Sequence, residues 1–207
     1  MVQLKNRIYL ASRSPRRREL LRQIGIDFEL LLLRDTPLRQ MDVEEIPMPD
    51  ETASDYACRI AKAKATSGWL QLVNRRVPLL PVLAADTVVS LKGQIFGKPQ
   101  NPAHAEEMLS ALSGQTHEVL TAIAMIEGDK VRVHLSTSEV RFRNISNREI
   151  RNYIATNESS DKAGSYAIQG VAAVFISGFS GSYSGVMGLP LFETARLLEE
   201  FGMEMFH

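Results

Sequence analysis

Apolar positions follow two rhythms along the chain, and their alternation predicts an α/β protein. Residues 7–11 (Arg-Ile-Tyr-Leu-Ala) form a short run of strand type, and Ser14-Pro15 behind them is a helix start, with serine as N-cap and proline in the first turn. Leu20, Leu21 and Ile24 share one helical face, Gly25 supplies a stop, and 28–33 reads as a second buried strand. Residues 34–50 are polar and contain Pro37, Pro47 and Pro49, which predicts a loop or lid. A helix resumes from Thr52, with Tyr56, Ile60 and Ala63 on one side. Residues 82–85 read as a strand that Asp86 interrupts and Thr87-Val88-Val89 resumes, and Lys92-Gly93 turns the chain into Gln94-Ile95-Phe96. A capped helix over 101–112, strands over 118–126 and 131–142, and helices over 146–156 and 191–201 complete the pattern.

Length and charge narrow the class. With 207 residues and 23.1 kDa, the chain suits one large domain or two lobes sharing a cleft. Lys and Arg number 24, and Asp and Glu also number 24, so there is no basic excess of the kind phosphate-neutralising nucleic-acid binders show. A single cysteine, Cys58, excludes an intrachain disulfide and a multi-cysteine metal site. Residues 163–192 hold no Asp, Glu, Lys or Arg, yet six glycines and five serines make them read as strands and tight loops within a protein, not as a lipid-facing helix. The start of the chain reaches an arginine triplet before any long apolar run, so no secretory signal is read there. The expectation is a soluble cytoplasmic protein that binds neither membrane nor nucleic acid.

Three clusters could carry chemistry. In Ser12-Arg13-Ser14-Pro15-Arg16-Arg17-Arg18, hydroxyls, free amides and guanidinium forks converge on a helix start and suit an anion, above all phosphate. Arg18 and Arg22 fit a solvated basic face better. Asp86 breaks the nearly apolar run 77–89, and a carboxylate beside the hydroxyl of Thr87 suits a metal ligand or a general base. Lys62, Lys64 and Lys98 are candidate phosphate partners, the last stiffened between Gly97 and Pro99. The third cluster is Asp161-Lys162-Ala163-Gly164 with Tyr166 and Gln169. The Gln169 amide offers both donor and acceptors, which suits the edge of a nucleobase. Gly181-Ser182-Tyr183 and Gly188-Leu189-Pro190 could add backbone amides and shape. The four histidines lack ligand spacing, which speaks against zinc, and neither a Walker A sequence nor a paired-glycine dinucleotide fingerprint occurs. Trp69 and Phe201 read as core or interface residues.

Taken together, six ordered blocks resemble the Maf family of nucleotide pyrophosphatases: Ser-x-Ser-Pro-Arg-Arg-x-Glu-Leu-Leu at 12–21, Ala-Asp-Thr-Val-Val at 85–89, Gly-Lys-Pro at 97–99, Leu-Ser-Gly-Gln-Thr-His-Glu-Val-Leu-Thr-Ala at 112–122, Asp-Lys-Ala-Gly-Ser-Tyr-Ala-Ile-Gln-Gly at 161–170, and Gly-Ser-Tyr with Gly-Leu-Pro within 181–190. Arg-Arg after Ser-Pro, and Tyr-x-Ile-Gln-Gly, resemble the dTTP/UTP branch and differ from the 7-methyl-GTP branch. The resemblance implies an inosine-triphosphatase-like α/β fold, a long twisted mixed sheet with two lobes flanking a cleft, within one domain over 1–207. It implies a homodimer and a divalent cation, Mg²⁺ first. Asp86 resembles the catalytic proton acceptor and is also a possible metal ligand. Arg16, Thr87 and Gln169 resemble the positions that set substrate choice, and Ser14, Arg13, Arg17, Lys64 and Lys98 would line the phosphate site.

The implied reaction converts dTTP or UTP to the monophosphate and pyrophosphate. Two other readings stay open at this stage: a nucleotide-binding regulator of septum formation with little turnover, and removal of modified pyrimidine nucleotides. Two departures stand out. The family's acidic pair soon after the second strand is replaced by Leu33-Arg34-Asp35-Thr36-Pro37, leaving Asp35 as the nearby carboxylate. Ser184-Gly185 stands where bulkier residues are common, which enlarges the local wall.

Overall fold

In a computed structural model, residues 7–33 and 43–204 are described. The elements run β1 (Arg7–Leu10), α1 (Pro15–Gln23), β2 (Asp27–Leu30), α2 (Ala53–Arg75), β3 (Val82–Leu91), β4 (Gln94–Phe96), α3 (Pro102–Leu112), β5 (Thr116–Glu127), β6 (Lys130–Phe142), α4 (Asn147–Ile154), β7 (Ile176–Ser180), α5 (Tyr183–Met187) and α6 (Leu191–Glu200). Helix starts carry the polar caps their sequences advertise. Thr52 Oγ1 accepts from Asp55 N at 3.1 Å, Asn101 Oδ1 accepts from His104 N at 2.9 Å, and Ser146 with Glu149 closes a capping box. Each such cap contributes about 1 kcal/mol.

The strands form one mixed sheet in the order β2-β1-β3-β5-β6-β7, with β4 paired to β3. Strands β2, β1 and β3 are parallel, and the remaining pairs are antiparallel. Alternation along β3 divides its side chains between two faces. Val82, Ala84 and Val88 join the core under α2, with Leu120, Ala122 and Ala124 of β5. Leu83 and Ala85 face the other way, into the core that holds Leu20 and Leu21 of α1 and Leu197 and Leu198 of α6. Val89, on that same second face, belongs to a separate core with α3, α4, Phe142 and Tyr166. The second face therefore carries two apolar clusters, and the pair Thr87–Thr121 lies between them in the register.

The expectation of α/β architecture holds, with three local corrections. Asp86 does not interrupt the third strand, because its backbone pairs with Ala122 and the strand runs unbroken from Val82 to Leu91. The second strand ends at Leu30 and not at Leu33. The charge-free segment is mostly short 3₁₀ turns and the five-residue helix α5, with β7 its sole strand. Trp69 and Phe201 are both partly buried against core clusters.

Gly68 sets how closely α2 lies on the sheet. A Cβ there would stand 2.9 Å from Val82 Cγ1 and 3.1 Å from Leu31 Cδ2. Gly68→Leu is therefore expected to destabilise the fold by about 1–3 kcal/mol through overpacking, read from the midpoint of a urea melt.

Candidate functional site

A cleft of about 530 Å³ opens where β3 outruns its parallel neighbour. Pairing with β1 ends at Leu83 and pairing with β4 begins at Val89. Over that gap β3 keeps β5 on one side only. Ala11 N donates to Leu83 O and Arg17 Nη1 to Ala85 O, each at 2.8 Å, so the odd-numbered carbonyls face the former β1 side. By alternation, the Thr87 backbone N–H and C=O turn toward the cleft. Six cationic side chains (Arg13, Arg16, Arg17, Lys64, Lys98, Lys162) line the cavity against three carboxylates (Glu45, Asp86, Asp161), although the whole chain is neutral. That local excess suits a polyanion.

The α2 side of the cleft is built around Lys64. Its Nζ lies 2.7 Å from Asp86 Oδ1 and 2.7 Å from Glu45 Oε1, and Lys98 Nζ stands 3.7 Å from the second Glu45 oxygen. The two carboxylates are pushed apart electrostatically. Burial raises the Asp86 pKa above its usual 3.8, and Lys64 offsets that only in part. Burial also works against the Glu45 carboxylate, but Lys64, Lys98 and Arg17 together outweigh it and hold its pKa below 4.5. The strap carrying Glu45 is pinned by Arg59, which grips Glu51 with two donors at 2.6 and 2.7 Å and donates to Ile46 O at 3.0 Å.

The opposite wall is built around Arg17. Its Nε donates to Gly188 O at 2.7 Å, Nη1 to Ala85 O and to Ser12 Oγ (3.3 Å), and Nη2 to Thr87 Oγ1 at 3.2 Å. Burial lowers the Arg17 pKa from its ordinary value, with Asp86 and Glu45 opposing. Gly188 can present its carbonyl because it closes α5 at φ 115°, a conformation that strains other residues. Arg16 contrasts with Arg17: its Nε is buried with no hydrogen-bond partner among the described residues. Deeper in the wall, burial holds the His117 pKa at about 4, so a neutral ring meets the Tyr166 hydroxyl at 2.9 Å.

The structure brings the sequence candidates Arg13, Ser14, Arg16, Arg17, Lys64, Asp86, Thr87, Lys98 and Gln169 to one cavity. Arg13 is exposed and donates to Leu33 O at 2.9 Å, and Gln169 is an exposed rim residue. Lys62 is not among the cleft-lining residues; it lies on an outer groove of α2. The family resemblance makes Arg17 a phosphate ligand, but most of its donors are consumed within the wall. Asp35 lies outside the described residues. Glu45 is a cleft carboxylate that sequence reasoning missed. The available signal was the Glu44-Glu45 pair before Ile46-Pro47, within the polar segment 34–50.

Comparison with known proteins gives a consistent picture. Residues 7–201 match the family model described as Maf-like protein. The chain is similar to a dTTP/UTP pyrophosphatase of Nitrosospira multiformis, with 60% identity over 206 residues and 100% of both chains covered. It is also similar to one of Nitrosomonas europaea, with 59% identity and 97% of each chain covered, and to one of Aromatoleum aromaticum, with 54% identity and 98% of each. Among solved structures, the Staphylococcus aureus Ham1 protein overlaps 66% of this chain and 71% of its own, at 18% identity and a TM-score of 0.44.

The shared lysine generates a prediction with a definite sign. In carbon-detected NMR titrations, the Asp86 carboxyl is expected to titrate above 3.8 and the Glu45 carboxyl below 4.5. Lys64→Met should move both midpoints upward, since it deletes the cation that favours both charged forms. By linkage, Asp86 favours folding most below pH 3.8, and its contribution is lost as pH rises through its raised folded value. The Glu45 contribution is present above 4.5 and is lost as pH falls through its depressed value.

Proposed function

From the premise that this chain belongs to the Maf-like family, we propose that it hydrolyses dTTP and UTP between the α- and β-phosphates, releasing the nucleoside monophosphate and pyrophosphate. The observation that carries this reading is the Lys64-bridged pair Asp86 and Glu45, with opposed pKa shifts, in a cleft dominated by cations. Relatives 54–60% identical along almost their whole length carry the name of that activity.

Opposed shifts divide the work between the two carboxylates. Asp86, the more basic, takes a proton from the water that attacks the α-phosphorus. The bond from that phosphorus to the α–β bridging oxygen breaks, and pyrophosphate leaves with the electron pair. Glu45 stays ionised and has the chemistry to help hold a divalent cation beside the phosphates. Hard oxygen donors in ones and twos beside phosphates fit Mg²⁺, and no group of three or more His, Cys, Asp or Glu residues gathers among the described residues to favour another metal. When bound, the cation neutralises charge on the phosphates. Lys64, Lys98 and Arg16 hold the triphosphate, joined by Arg13, the Ser14 hydroxyl and the remaining Arg17 donor. Thr87 and Gln169 face the base. A closed cleft makes each charge worth more than it is in water.

No helix among the described residues is long and apolar enough to cross a membrane. A cytoplasmic homodimer completes the proposal, and light scattering at twice the 23.1 kDa chain mass checks the dimer.

The decisive assay quantifies products from dTTP, UTP, CTP and GTP with and without Mg²⁺. Wild type should release dTMP or UMP plus pyrophosphate only with the cation. Asp86→Asn should lose at least ~100-fold in turnover with no fall in melting temperature, because it removes a charge that burial disfavours. A folded wild type that binds these nucleotides and turns none over would overturn the reading. Gln169→Ala should change the ratio between nucleotides more than it lowers every rate.

A further inference from the structure

We propose that Thr121, a fully buried residue outside the cleft lining, is a positioning residue for substrate choice: it fixes the Thr87 hydroxyl as a hydrogen-bond acceptor and so selects pyrimidines whose N3 carries a proton. The inference rests on the pyrophosphatase reading and on Thr87 facing the base.

The argument is a count of protons. A threonine hydroxyl has one proton and two lone pairs. Thr121 Oγ1 lies 2.7 Å from Gly185 O, and a carbonyl cannot donate, so the Thr121 proton is committed there. Thr121 and Thr87 face each other across β5 and β3 with their hydroxyl oxygens 3.0 Å apart. With the Thr121 proton already used, the Thr87 proton must bridge that gap. Arg17 Nη2 then donates to one Thr87 lone pair at 3.2 Å. What remains of the Thr87 hydroxyl for a ligand is one lone pair and no proton.

Direction therefore runs one way, from Arg17 through Thr87 and Thr121 to the carbonyl of Gly185. Uracil and thymine present N3–H, which a lone pair accepts. Cytosine presents a bare N3 lone pair, and two lone pairs repel. Gln169 cannot make this distinction unaided, because its amide turns over to offer either a donor or an acceptor. A buried relay ending on a backbone carbonyl has no such freedom, and an unmatched polar edge in a closed site is costly.

The test compares wild type, Thr121→Val and Thr121→Ser in kcat/KM for dTTP and dCTP, with calorimetric binding of dTMP and dCMP as a readout independent of turnover. Thr121→Val frees the Thr87 proton for the cleft, so the dTTP:dCTP ratio should fall about tenfold, chiefly by a gain on dCTP. Thr121→Ser keeps the relay and should stay within about twofold of wild type. A folded Thr121→Val with the wild-type ratio overturns the proposal, as does a wild type that treats the two bases alike. If Thr121→Val does not fold, Thr121→Ala, which also frees the Thr87 proton, decides: the dTTP:dCTP and dTMP:dCMP ratios should fall in the same direction, and unchanged ratios overturn the relay. If wild type hydrolyses nothing, the pyrophosphatase reading fails by itself, and the dTMP:dCMP binding ratios of the same variants still decide the relay.

Discussion

Strand β3 keeps β1 only as far as Leu83 and meets β4 only at Val89. A strand edge left open inside a protein must find partners for its backbone, and here it finds Arg17 at Ala85 O and leaves the Thr87 peptide groups toward the cleft. Because successive side chains alternate, the same gap exposes Asp86 on the α2 face and Thr87 on the α1 and α5 face. One strand thereby serves two walls: Asp86 beside Lys64 on one, and the hydroxyl of Thr87 between Arg17 and Thr121 on the other.

The cations of the cleft do different work. Lys64 is a point charge shared by two carboxylates, and its position lets burial raise one pKa while charge lowers the other. Arg17 is a fork whose fixed geometry stitches α1 to β3 and to the turn after α5. Lysine could not replace that fork, since it lacks donors in a fixed plane. Arg16 keeps a buried, unpartnered Nε among the described residues, which suits an incoming anion better than a structural tie. Adjacent arginines of identical chemistry thus differ in how many of their donors the fold consumes, according to which neighbours each can reach.

Much of the fold was legible beforehand because it rests on local rules. Ser14-Pro15, Asn101-Pro102 and the Ser146/Glu149 box announce helices through groups a few residues apart, and strand periodicity marked β3, β5 and β6. Asp86 does not break β3, because the polarity of a side chain says nothing of the pairing of its backbone. A carboxylate beside Lys64 is tolerated in a strand whose own amides are paired. Most of the candidate site was legible as well, since Ser14, Arg16, Asp86, Thr87, Lys98 and Gln169 sit in compact motifs. Glu45 was not, because its place depends on how far a connection travels before Arg59 pins it against Glu51.

The sequence by itself therefore determined the α/β pattern, the capped helices, the phosphate-suited serine and arginine cluster, and the single acid in an apolar strand. Those properties are set by side-chain chemistry and by spacings of a few residues. Only the tertiary structure decided that Glu45 joins Asp86 at Lys64, that Arg17 is largely spent on carbonyls and hydroxyls, and that Thr121 stands behind Thr87. Each of these depends on contacts between segments distant in the chain, where hydrogen-bond donors and acceptors must be matched in space and no local periodicity records the match.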